Sequence, residues 1–187
     1  VVDDRVPVSM ETFGSLASES ASSGLLAETD AFTVRRVRWP VLDGIEGEGL
    51  LMTPTAPITA RVVAFPDADQ PPEELAGEWA RHLAASGVQV VMPTLINRET
   101  TYSGSSEIIT QRYWNTPPES VVPKFTKEPH REWVYRHAYP MGRHVIGYEI
   151  QKGLAVLDWF ETQGDQPVGV AGYGEGGLLA FYAAALE

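Results

Sequence analysis

The sequence predicts an α/β fold, a mostly parallel sheet flanked by helices. Three observations carry that prediction. Short Val-rich runs recur at Ala60–Phe65, Val88–Met92 and Pro167–Ala171, and their lengths suit strands buried on both faces of a sheet. Stretches with apolar residues three and four apart stand between those runs, the spacing of an amphipathic helix. A glycine-rich segment, Gly172-Tyr173-Gly174-Glu175-Gly176-Gly177, joins the last run to an apolar helix, as a sharp strand-to-helix turn requires.

The elements follow in order. Residues 1–30 are expected to form a flexible amino-terminal arm, because the Ser- and Ala-rich stretch from Gly14 to Gly24 has few groups to bury. Phe32 to Trp39 alternates imperfectly, and Asp43-Gly44 marks a turn into Gly49–Thr53, which together predict an opening hairpin or meander. Ala60–Phe65 is closed by Pro66 and followed by the loop Asp67-Ala68-Asp69-Gln70. From Pro72 the period changes. Leu75, Trp79 and Leu83 stand four apart after a Pro-Glu-Glu start, and Gly87 ends the predicted helix. With Val88–Met92 next, strand, helix and strand form a parallel crossover unit.

Thr94 to His130 is long and rich in Pro, Ser, Thr and Asn, and excursions of that length often carry function. A long helix is expected after Met141, with Ile146, Ile150, Leu154 and Leu157 inward and Arg143, Glu149, Gln151 and Lys152 toward water. Residues 31–187 thus read as one domain.

Bulk properties narrow the function. A formal charge of −11 over 187 residues opposes attraction to phosphate backbones and anionic lipid, so neither nucleic acid nor a membrane is expected as a partner. The absence of cysteine removes disulfides, thiolate nucleophiles and thiolate metal ligands. No apolar run approaches the roughly 20 residues of a membrane-spanning helix. No cofactor and no metal are expected.

The glycine-rich segment has the spacing of a nucleophile elbow, in which glycines allow a tight turn and a central side chain is held up for attack. Here the central residue is Gly174. Together with the Phe65–Gln70 loop and the Gly142–Glu149 helix start, this turn resembles the dienelactone hydrolase and acetyl xylan esterase branch of α/β-hydrolases, from roughly Phe32 onward. The resemblance implies hydrolysis of carboxylic esters, with a small-molecule ester or carbohydrate-derived ligand. It also implies an oxyanion hole built from the backbone of Glu175 and of the loop at Asp67 or Ala68. Where the family carries Ser or Cys this chain has Gly174, so the covalent reagent is missing. In that fold the acid and histidine follow the nucleophile, yet His82, His130, His137 and His144 all precede Gly174. The expectation is therefore an amino-terminal half of the fold, incomplete at its carboxyl end. The Val168–Ala171 strand would then be a sheet edge prone to self-association.

Other candidates have structural explanations beside the chemical ones. Glu175 reads as a general base or as a first-turn acid suited to the helix dipole. Asp67 and Asp69 read as turn residues rather than metal ligands. His130 and Arg131 are candidates for binding an anionic substrate group, or a charged helix entry after Pro129. Arg143 and His144 suit a solvated helix face. Tyr102–Ser106 offers hydroxyls without a base at fixed spacing, and Trp114, Trp133 and Tyr135 suit sugar stacking or core.

A rival from another class uses the same residues. Gly172-x-Gly174-x-x-Gly177 satisfies a dinucleotide fingerprint that opens a helix. Its acidic ribose contact would fall about 20 positions on, beyond the residues present. A third reading is a non-catalytic scaffold that keeps the frame alone.

Overall fold

The computed structural model describes residues 5–14, 24–98, 108–109, 125–126 and 129–187. The described residues divide into two compact units, one of residues 1–95 with 146–187 and one of residues 96–145.

In the first unit, β1 (Glu11–Thr12), β2 (Leu25–Glu28), β3 (Phe32–Leu42), β4 (Ile45–Pro54), β5 (Ala60–Phe65), β6 (Val88–Pro93) and β9 (Val168–Gly172) make a seven-stranded sheet. Its order is β1-β3-β4-β6-β5-β9, with β2 also on β3. The β3–β4 hairpin turns at Asp43-Gly44, where Gly44 has φ 72°, as the sequence predicts. Pairing is antiparallel from β1 and β2 through β6, and parallel for β6-β5-β9. Parts of the expected arm add to the sheet: Glu11 and Thr12 pair with Arg38 and Val37, and Leu25 to Glu28 pair along β3. Backbone donors at an open edge favour such pairing whatever the side chains.

The sheet is buried on both faces by its two-residue period. Val63, Phe65, Val91 and Leu51 join one cluster with Leu154, Phe160, Leu179 and Ala183 of the helices α4 (Val145–Glu161) and α5 (Glu175–Leu186). Ala64, Val90, Met92, Leu50 and Met52 join the other cluster with Leu75, Ala80 and Ala84. Those three residues come from α1 (Pro72–Gly77) and α2 (Trp79–Ala85), where the sequence predicts one helix. The break is at Glu78, φ −96° and ψ −126°, next to Gly77, whose missing side chain leaves the helix weakest there.

Two residues of α4 expected to face water are in the core. Glu149 and Gln151 are 0% and 1% exposed. Glu149 is paired with Lys152 at 3.1 Å, and the Lys152 ammonium also donates to the Thr94 carbonyl at 2.8 Å. A charged pair that anchors a loop carbonyl offsets its desolvation in a way that periodicity does not reveal. On the same unit Arg61, 3% exposed, donates to the Gln163 carbonyl and the Gln166 side chain, both at 2.7 Å.

The second unit holds β7 (Ile108–Ile109) paired antiparallel with β8 (Phe125–Thr126), then α3 (His130–Ala138) and a 3₁₀ turn at Tyr139–Met141. Tyr102–Ser106 and Trp114 lie outside the described residues.

Candidate functional site

The site is assembled by strand register. β5 and β9 run parallel with Phe65 opposite Gly172. Two residues beyond each lie Asp67 and Gly174, so both chains leave the sheet at the same edge with those residues side by side. This is the carboxyl end of adjacent parallel strands, where open α/β sheets form their crevices.

The turn after β9 is a sharp strand-to-helix turn. Gly174 sits at φ 56° and ψ −123° as the amino-terminal cap of α5. A side chain is strained in that conformation. The neighbouring glycines are needed for close approach. A Cβ on Gly172 would lie 2.8 Å from the Gly177 nitrogen and nearer still to the Gly176 carbonyl, and one on Gly176 would lie 2.9 Å from the Phe65 carbonyl carbon. Gly177 is less constrained, its nearest neighbour being the Gly172 oxygen at 3.3 Å.

Across from this turn stands a carboxylate. Asp67 Oδ1 accepts the Ala68 N–H and the Glu175 N–H, each at 2.7 Å. The two donors come from different elements, the loop after β5 and the first residue of α5, and they converge on one oxygen. The Asp67 N–H is itself engaged by Gln70 Oε1 at 3.1 Å. A Cβ built on Gly174 would lie 2.5 Å from Asp67 Cγ and closer still to both carboxylate oxygens. The space that a side chain at 174 would take is therefore filled from the opposite loop.

Four residues singled out in the sequence, Asp67, Ala68, Gly174 and Glu175, thus come together. His130 and Arg131 belong to the other unit. There the Arg131 N–H donates to the Asn97 carbonyl at 3.1 Å. Arg131 also lines a cavity of about 390 Å³ with Arg98, Pro129, Glu132, Tyr135 and Val145. His130 opens α3 without lining that cavity, and its Nδ1 is buried with no hydrogen-bond partner among the described residues. Trp133 packs on His137, and Tyr135 on Tyr139 and His144, so these aromatic rings stack within the protein. Asp69, at φ 63°, serves the turn. No group of three or more His, Cys, Asp or Glu among the described residues is placed to hold a metal ion. No helix of the described residues is long and apolar enough to cross a membrane.

The sequence points to the backbone of the Asp67–Ala68 loop and gives no sign of the Asp67 carboxylate at this turn. No signal within either segment pairs Asp67 with Gly174, because their meeting depends on the register of β5 against β9.

No protein-family model matches the sequence, and no curated protein matches it. Solved structures do. Acetyl Xylan Esterase 1 from a Thermoanaerobacterium species is 16% identical with a TM-score of 0.56, over 100% of this chain and 52% of that one. An acetyl xylan esterase from a Paenibacillus species is 15% identical with a TM-score of 0.56, over 100% of this chain and 52% of that one. A cold-adapted esterase from an Arctic intertidal metagenomic library is 15% identical with a TM-score of 0.55, over 85% of this chain and 58% of that one. The fold is that of esterase-like α/β-hydrolases. The chain spans about half the length of these esterases.

Proposed function

We propose that this chain is an esterase-like α/β-hydrolase scaffold that binds a small ester or carbohydrate-derived ligand at its elbow without forming a covalent acyl intermediate there. The observation that carries the reading is Gly174. Its φ 56°, ψ −123° backbone supports reading it as the position an elbow nucleophile would take, and glycine has no side chain to attack with. Covalent acyl transfer requires an oxygen or sulfur nucleophile at that point, and the nearest carboxylate, Asp67, has one oxygen committed to two N–H donors. The likeness to acetyl xylan esterases supports the ligand class, and the convergent N–H pair supports recognition of a carbonyl or carboxylate oxygen, as an oxyanion hole does.

The test is incubation of the full chain with p-nitrophenyl acetate, followed by intact-mass measurement. The expected result is no gain of an acetyl group and no burst of nitrophenol. A stoichiometric acetyl adduct would overturn the proposal. The dinucleotide reading of Gly172, Gly174 and Gly177 is disfavoured by Asp67, because its carboxylate lies at the helix amino terminus where a pyrophosphate would need to bind.

A further inference from the structure

We propose that the cavity of the second unit is a binding site for a small aromatic monocarboxylate, with Arg98 and Arg131 holding the carboxylate and Tyr135 walling the ring. The inference concerns residues 96–145 alone and goes beyond the reading of the elbow, on which it does not rest.

The cavity measures about 390 Å³ and is lined, among the described residues, by Arg98, Pro129, Arg131, Glu132, Tyr135 and Val145. Its size lies within the ~300–1,000 Å³ of small-molecule pockets, which are walled by apolar and aromatic groups and given their selectivity by a few polar ones. A cavity with two guanidiniums is unexpected in a chain of 14 basic against 25 acidic residues. The two come from separate segments that backbone groups hold together. The Arg131 N–H donates to the Asn97 carbonyl at 3.1 Å, and Arg131 Nη1 to the Ile96 carbonyl at 3.4 Å. This ties the start of α3 to the segment that carries Arg98. A guanidinium has five N–H donors, so one or two contacts within the protein do not exhaust it, and its planar fork matches the two oxygens of a carboxylate.

The remaining lining groups select among anions. Glu132 adds one carboxylate to the wall, engaged by Arg136 Nε at 2.8 Å. Two positive charges and one negative are matched by a monoanion, whereas a dianion would carry an unmatched charge out of water. Tyr135 is a braced wall, its ring 5.1 Å from that of His144 and 5.7 Å from that of Tyr139 between centroids. With Pro129 and Val145 it supplies apolar surface that a ligand ring would cover and a bare acetate would leave wet.

The test is isothermal titration calorimetry of the full chain with benzoate, beside benzyl alcohol, acetate and inorganic phosphate. Benzoate should bind saturably at one site, and each of the other three at least about tenfold more weakly, the factor expected for losing one charge-assisted contact or the ring burial. Arg98 is exposed, so Arg98→Gln should leave thermal melting unchanged while weakening benzoate by about tenfold or more. Arg131→Lys keeps the charge, loses the fork and should weaken benzoate as well. Tyr135→Ser should narrow the preference for benzoate over acetate. A wild type that does not bind benzoate would overturn the proposal, as would benzoate binding that both arginine variants leave unchanged, which would place it elsewhere on the chain. Benzyl alcohol or phosphate binding as tightly as benzoate would overturn it too. Should Arg131→Lys not fold, Arg98→Gln is read by the same outcomes.

Discussion

Installing a side chain at residue 174 sets two residues against each other, and the conflict has a size. In Gly174→Ala the new Cβ would stand 2.5 Å from Asp67 Cγ, well inside contact distance, so the carboxylate must leave. Its departure forfeits two charge-assisted hydrogen bonds, each worth about 1.5–3 kcal/mol. The backbone at φ 56° adds strain of about 1–3 kcal/mol. Water recovers part of the hydrogen-bond loss at this half-exposed site, so Gly174→Ala should cost about 3–5 kcal/mol. Asp67→Ala should cost about 2–4 kcal/mol, the hydrogen-bond share alone. The double variant pays the hydrogen-bond loss only once, and should fall short of additivity by about 2 kcal/mol. Urea unfolding of the four proteins at a common slope measures each difference. Additivity within about 0.5 kcal/mol would refute the reasoning, because it would mean that Asp67 and the 174 position do not share one space.

Other expectations follow from the same geometry. Gly176→Ala places a Cβ against the Phe65 and Pro66 carbonyls and should cost about 3 kcal/mol or more in urea unfolding. Gly147→Ala, in α4 with nothing within 4 Å, should stabilise by about 0.5–1 kcal/mol, and a loss there would contradict the helical packing described. Arg61→Met strands the Gln163 carbonyl and the Gln166 side chain and should lower stability by about 2 kcal/mol or more; a neutral result by thermal melting would show that those groups find other donors. Self-association is proposed through the β9 side of the sheet, where Val168 and, on α5, Phe181 and Tyr182 are exposed. Sedimentation velocity should then depend on protein concentration and lose that dependence in Phe181→Glu.

Elements that have their own periodic signature are legible in the residues alone. Ala60–Phe65 and Val88–Met92 announced buried strands, Asp43-Gly44 announced the hairpin, and the spacing of glycines from Gly172 to Gly177 announced a tight turn with an empty central position. Each follows from local backbone and burial rules, which depend on residues near in sequence. Where those rules compete with long-range contacts they fell short. Glu149 and Gln151 look like a solvated helix face, yet Glu149 is held inside by Lys152 and the Thr94 carbonyl anchors that lysine. Glu11–Thr12 and Leu25–Glu28 fall in the stretch that reads as a flexible arm, yet β3 offers them backbone partners. The decisive feature of the site lay in the tertiary structure alone. Nothing within either segment says that Asp67 meets Gly174, because that meeting depends on β5 and β9 becoming parallel neighbours with Phe65 opposite Gly172. Register is a property of a pair of strands, and only the folded sheet holds the pair.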